Sequence, residues 1–482
     1  MKVFHLLPLA GMVLGLPTVM KRSAPKAMEM SFDVVQGASN KWSDSQNNVD
    51  AGSSNSSSSL SASTSSHALE NMGYYYQVSV SIGSPPQEFA LSLDTGSSDM
   101  WVPSANNNEC LNPLFTSRGG SCGATKNIFN RMISSTFSAI NDFFYISYGD
   151  ATSAYGTWGK DTLNFNGLTL TDYTFGVASG TTSTTNVFGI GLKGLQASND
   201  AIPEHPEAPK FTYSNLPYRL AEEGYINTPS YSLYLDSMDA ASGTIIFGGV
   251  DSSKMQGPLT LHPLINFHPE NHADAVSFFI TLDSVDLVGG APLNMLNVTS
   301  AALLDSGATL TFLPPSAYAT LADRLQLKVD SVTGTTVGNC SLGSAGEYLE
   351  YSFQGTKIRV PVSSLLDPIK RHDGSAVVSS SDDTTPMCRF LVAPNANDRT
   401  GTSNIILGDS FLRSAYVVYD LENFQLGLAQ AASSASGPSL VSAIDKSGIP
   451  GSQQPLSSNT WQTNTPMPTF HSYTPQQVDL LW

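Results

Sequence analysis

The sequence is poor in basic residues: Lys and Arg number 23 against 40 Asp and Glu, which leaves a formal net charge of −17 and an isoelectric point near 4.7. That balance repels phosphate backbones and anionic lipid surfaces, so nucleic-acid partners are excluded as an expectation. Charged residues of both signs make up only 13% of the chain. Ser, Thr, Gly and Asn are abundant instead, a composition suited to a turn-rich β protein and to acidic surroundings in which carboxylates become neutral. Membrane-spanning apolar runs are lacking too. The apolar stretch from Val3 to Leu16, behind Met1-Lys2 and before Pro17 and Thr18, is too short to span and reads as a secretory signal peptide over residues 1–19. The C-terminal Gln-Gln-Val-Asp-Leu-Leu-Trp lacks the apolar tail of a GPI signal, so no membrane anchor is expected. Cysteine is scarce as well. Cys110, Cys122, Cys340 and Cys388 allow three pairings, and an oxidising compartment favours two local loops, Cys110 with Cys122 and Cys340 with Cys388.

With 482 residues the chain is long enough for a two-lobed or multidomain body. Residues 37–66 are dominated by Ser, Asn, Gly and Asp with almost no apolar anchors, so residues 20–70 read as a pro-segment or mobile leader. Lys21-Arg22 offers a dibasic processing site within it, and a point near Glu70 is a second candidate. After Gln430 the periodic apolar residues stop and Ser, Pro, Gln and Thr take over, so residues 431–482 read as a disordered tail. Between residues 71 and 430 apolar residues alternate over short runs such as Tyr74 to Ile82, broken by Gly, Pro, Asn and Asp. The body is therefore expected to be all-β, with lobes at 71–265 and 266–430. A helix is plausible at Pro315 to Leu325.

The decisive pattern is an internal repeat. Asp94-Thr95-Gly96-Ser97-Ser98-Asp99-Met100-Trp101-Val102-Pro103 recurs, 211 residues later, as Asp305-Ser306-Gly307-Ala308-Thr309-Leu310-Thr311-Phe312-Leu313-Pro314. Apolar approaches, Phe89 to Leu93 and Ala301 to Leu304, precede the copies, and Ile190-Gly191 and Ile406-Leu407-Gly408 follow them. A lone Asp-Thr/Ser-Gly is usually a turn and arises by chance roughly 0.2 times in a chain of this length. Two copies in one ten-residue frame imply two lobes of one plan. The glycine in each permits a sharp loop at a strand end, where a side chain would obstruct the approach of the opposite loop.

On these residues the sequence resembles the pepsin-like aspartic proteases, and within them the fungal secreted and yapsin-like members. The resemblance covers residues 71 to 430 and extends to Tyr148-Gly149-Asp150, similar to the tip of that family's flap, and to Tyr155 to Leu163, similar to its returning strand. Gly243 to Asp251 and Leu407 to Arg413 are also similar to family segments. It implies a bilobal β fold with the active site between the lobes, made as a zymogen and acting as a monomer on polypeptide substrates without metal or cofactor. Asp94 and Asp305 would share one proton and activate a water. Thr95, Gly96, Ser97, Ser306, Gly307 and Thr309 would hold their loops, Tyr148, Gly149 and Asp150 would close over the substrate, and Trp101 would lie beneath the flap.

One departure bears on chemistry: Ser97 can donate a hydrogen bond to Asp94, whereas Ala308, at the matching position, has nothing to donate to Asp305. The expected effect is a dyad active toward less acidic pH. Asp150 is either a solvated turn residue or an attractor of Lys and Arg in the substrate. Other constellations read as background. Gly119 to Gly123 fits a nucleophile elbow only formally, in a cysteine loop with Cys122 as its own fourth residue, and His268 to His272 is interrupted by Pro269 and lacks a third metal ligand. Asn297, Asn339 and Asn55 head glycosylation sequons. Two non-enzymatic readings, a protease-like peptide clamp and a Ser-rich cell-wall protein, leave the intact acids or the repeat unexplained. The location expected is secreted, extracellular or associated with the cell wall.

Overall fold

The computed structural model of the chain describes residues 27–36, 74–107, 110, 128–183, 185–202, 204–240, 242–331, 333–371, 373–379, 384–395, 405–433, 439–457, 460–462, 477–478 and 480–481. The signal peptide, the Ser-rich stretch with Asn55, and Gly119 to Gly123 lie outside them.

The body is built of strands, as the alternation requires: along Tyr74–Ile82 the residues Tyr76, Val78, Val80 and Ile82 all point into the core. The largest sheet has 14 strands among the described residues. It joins the two halves of the chain, because Ala415–Asp420 pairs with Ser230–Tyr234 and Gln425–Ala431 pairs with Met255–Pro263. A five-stranded sheet containing Ser300–Leu304, Thr311–Leu313 and Ile405–Leu407 organises the second half. The helix Pro315–Leu325 forms where expected, burying Ala317, Tyr318, Leu321, Ala322 and Leu325 along one face.

Both halves share one wiring plan. Gln87–Asp94 runs parallel to Val187–Gly189, with Asp94 opposite Gly189, and Ser300–Leu304 runs parallel to Ile405–Leu407, with Leu304 opposite Leu407. After each acidic loop the chain returns antiparallel to that same partner, through Met100 opposite Phe188 and Phe312 opposite Ile406. The sequence repeat is thus a structural repeat that ends each approach strand at an aspartate.

Two expectations need correction. Within residues 20–70, read as a pro-segment or mobile leader, Met28–Gln36 is a strand inside the large sheet, paired on one side with Ser242–Phe247 and on the other with Tyr74–Ile82, which fits a pro-segment and not a mobile leader at this point. The presumed disordered tail is ordered in its described parts: Val441–Ala443 pairs with Gly249–Asp251, and Ser452–Gln453 pairs with Met255–Pro263. Ile444, Ile449 and Trp461 are buried. Periodicity is what marks an element in sequence, and a strap needs only isolated apolar anchors that fit faces already built. Cys340 and Cys388 form a disulfide with a Cα separation of 5.1 Å. Cys110 is disulfide-bonded, and its expected partner Cys122 lies outside the described residues.

Candidate active site

The two acidic loops meet at the junction of the halves and are tied reciprocally. Thr95 N–H donates to Ser306 Oγ at 3.1 Å and Ser306 N–H donates to Thr95 Oγ1 at 2.9 Å. Each hydroxyl then donates across to the opposite approach strand, Thr95 to the Leu304 carbonyl at 3.1 Å and Ser306 to the Leu93 carbonyl at 2.9 Å. The backbone N–H and hydroxyl of both Thr95 and Ser306 are thus satisfied across the crossing, which holds the pair rigidly. The glycines explain themselves here. A Cβ on Gly96 would stand 2.5 Å from Asp305 Oδ2, and one on Gly307 would stand 2.7 Å from Asp94 Cγ.

The two carboxyls therefore face each other, and they differ in their donors. Asp94 accepts from Gly96 N–H at 2.7 Å and from the Ser97 hydroxyl. Asp305 accepts from Gly307 N–H at 2.8 Å, with Ala308 where a hydroxyl could have stood. Burial raises the Asp94 carboxyl above its ordinary value against the pull of the Ser97 and Gly96 donors. Burial, followed by the neighbouring charge of Asp94, pushes Asp305 well above the usual carboxylate range. Thr309 borders the cleft, and its carbonyl receives Ser410 N–H at 3.2 Å.

Over the pair lies a hairpin of Ser138–Ser147 and Ser153–Phe165. Its tip closes by Tyr148 N–H to the Thr152 carbonyl at 2.9 Å, and Trp101 Nε1–H donates to Tyr148 Oη at 2.7 Å. Burial and the Asp94 charge keep the Tyr148 phenol protonated, well above its normal range. Gly149 is exposed, with open space around it. Asp150 Oδ1 accepts both the backbone N–H and the hydroxyl of Thr152, at 2.8 and 2.7 Å, so this carboxylate stabilises the turn as well as facing the cleft. The cleft has a volume of about 570 Å³ and holds Asp94, Asp305, Tyr148 and Asp150 in its lining, while Trp101 supports it from behind.

A family profile described as eukaryotic aspartyl protease matches residues 74–431. The chain belongs to the eukaryotic aspartyl proteases. It is 35% identical to the aspartic proteinase yapsin-3 of Saccharomyces cerevisiae over 397 residues, 82% of this chain and 73% of that one. It is also 35% identical to the acid protease of Saccharomycopsis fibuligera over 366 residues, 76% and 83% of the two chains. The crystal structure of the aspartic proteinase from Irpex lacteus superposes with a TM-score of 0.60 at 20% identity, covering 85% of this chain and all of that one, which shows the shared fold. This aspartyl protease is an endopeptidase, a hydrolase acting on peptide bonds.

Other residues in and behind this aspartyl protease's cleft have no local signal in the sequence. Asp99 is buried, its Oδ1 accepting from Tyr213 Oη–H at 2.6 Å and its Oδ2 from Ala197 N–H at 2.8 Å, and burial pushes its carboxyl up to about 6. Leu303, Asp200 and Ile202 line the cleft. His268 and His272 sit in a turn, where His268 Nδ1 lies 3.3 Å from Glu270 Oε1. Of the sequons, Asn297 and Asn339 are exposed, with Asn339 Oδ1 accepting from Ser341 N–H at 2.8 Å. Among the described residues no helix is long and apolar enough to cross a membrane.

Proposed function

We propose that this endopeptidase is exported and cleaves polypeptides by a water activated between Asp94 and Asp305. The observation that carries the reading is the facing of two carboxyls with unequal donors. Like charges in one site cannot both ionise, and the handful of donors on Asp94 favours its ionised form, leaving the shared proton on Asp305. In that state Asp94 takes a proton from the water as it attacks the scissile carbonyl. Asp305 donates to the carbonyl oxygen, and as the tetrahedral intermediate collapses the proton held by Asp94 passes to the leaving nitrogen while Asp305 takes its proton back. No covalent bond to the enzyme forms. Tyr148, anchored by Trp101, closes over the substrate and excludes bulk water.

Among the described residues lining the cleft there is no Lys, Arg or His, while Asp150 and Asp200 both border it. This charge distribution supports a preference for Lys or Arg beside the cleaved bond. The apolar leader over residues 1–19 and the Cys340–Cys388 bond support export through an oxidising compartment, and the chain is proposed to act there as a monomer.

The test uses Asp94→Asn and Asp305→Asn, assayed on a peptide library at pH 4 to 6 with and without a statine-type transition-state mimic. Each substitution is expected to lower kcat by at least about 10³-fold, with the mimic abolishing the activity of the parent. Digestion that survives either substitution overturns the mechanism. Cleavage without regard to Lys or Arg removes the specificity reading alone.

A further inference from the structure

The family match ends at residue 431, yet the chain continues over the body, and its Trp461 is buried there. Ile444 and Ile449 anchor the strap in an apolar cluster with Val250, Leu259 and Val418. Farther on, Trp461 N–H donates to Thr281 Oγ1 at 3.1 Å, and its ring enters a second cluster with Ile265, Phe279 and Ala301.

That cluster touches the cleft in two ways. Phe279 stands opposite Leu303 in the antiparallel pair of Phe279–Leu282 with Ser300–Leu304, so both project on one face. Leu303 packs on the cluster at one end and lines the cleft, two residues before Asp305, at the other. The second connection is a stack of three rings. Phe267 lies 4.5 Å from Phe279 at 16° and 5.2 Å from Trp461 at 17°, clamped between them. Phe267 belongs to the segment that continues to Val276, against whose Cγ1 a Cβ on Gly194 would stand 2.5 Å away. Gly194 directly precedes Leu195, which lines the cleft together with Ala197, Asp200 and Ile202.

We propose that Trp461 is a positioning residue for peptide binding, supporting the Leu303 wall through the apolar cluster and the Phe267–Phe279 stack that they share. The proposal rests on the reading of this cleft as the peptide-cleaving site. Truncating the indole removes one face of the clamp on Phe267 and loosens the cluster on which Leu303 packs, so that wall gains freedom that substrate binding must then remove.

Full-length Trp461→Ala and Trp461→Phe are compared with the parent at a temperature well below unfolding, after titration of active sites with a tight-binding statine-type mimic. Trp461→Ala is expected to raise KM about tenfold with kcat changed less than about twofold, and Trp461→Phe, which keeps a ring on Phe267, to restore KM to within about threefold. A lower melting temperature with unchanged KM makes the strap a purely stabilising cover and overturns the proposal. Should Trp461→Ala fail to fold, Trp461→Leu, which keeps apolar burial but not the stack, decides: a raised KM supports positioning and an unchanged KM overturns it. Failure of the site reading is separate, since it shows as activity retained by Asp94→Asn in the otherwise intact chain.

Discussion

Thr95 and Ser306, 211 residues apart, each give a backbone N–H to the other's hydroxyl. Both hydroxyls serve as donor and acceptor at once, and both residues are buried. Thr95→Ala strands the Ser306 N–H and the Leu304 carbonyl away from water. At about 1–3 kcal/mol for each unsatisfied group, urea unfolding is expected to show a loss of about 2–4 kcal/mol. Thr95→Ser keeps the hydroxyl and is expected to lose less than about 1.5 kcal/mol.

Gly96 and Gly307 test the closeness of the carboxyls rather than their support. A methyl on Gly96 meets Asp305 Oδ2 at 2.5 Å, and Asp305 cannot retreat without breaking its bond from Gly307 N–H. Gly96→Ala is expected to cost at least about 10²-fold in kcat in protein that remains folded by near-UV circular dichroism, because small misplacements of reacting groups are this expensive.

The parts of this site that were legible in sequence are those written in contiguous residues. The Asp94 and Asp305 loops, the Tyr148 turn and the Pro315–Leu325 helix each carry their own short pattern. The contact between Asp99 and Tyr213 spans 114 residues, and that between Trp461 and Thr281 spans 180. Neither leaves a periodic trace, since one polar or aromatic residue at each end suffices. Met28–Gln36 was concealed for another reason: it borders a Ser-rich stretch whose composition dominates any window laid over both.

The ordered tail makes its own prediction. Ile444 is fully buried in a cluster with Tyr234, Val250, Tyr416 and Ala429. Ile444→Ala is expected to destabilise the protein by about 2–4 kcal/mol in urea unfolding, as for other large-to-small changes in a core. A change below about 0.5 kcal/mol is what a mobile tail would give.

Ala308 withholds from Asp305 the donor that Ser97 supplies to Asp94. A hydroxyl placed there bonds best to the ionised carboxylate and so lowers the affinity of the pair for its proton. Asp305 is the member proposed to carry that proton during attack, and its ionisation sets the alkaline limb. Ala308→Ser is therefore expected to move the alkaline limb of the kcat/KM profile to lower pH and to leave the enzyme active. An unmoved profile removes the link between this position and the working pH.

Asp99 makes stability depend on pH. Burial holds its carboxyl up to about 6 despite donors from Ala197 and Tyr213, and the charge of Asp200 adds in the same direction. An unfolded chain releases that proton near pH 3.9. Between those limits the folded protein binds more protons than the unfolded one, so stability must fall as pH rises. The contribution is full below about pH 4 and lost above about pH 6, and is worth at most roughly 3 kcal/mol. The Asp94–Asp305 pair and Asp409, all raised chiefly by burial, slope the same way and remain when Asp99 is replaced. Asn at this position can still accept from Ala197 N–H and meet the Tyr213 hydroxyl, but it does not ionise. Asp99→Asn is accordingly expected to flatten the decline in unfolding free energy between pH 4 and pH 7 by roughly 1–3 kcal/mol, measured by urea titration at each pH. An equally steep decline in the variant would mean that Asp99 keeps the same protonation in the folded and unfolded chain.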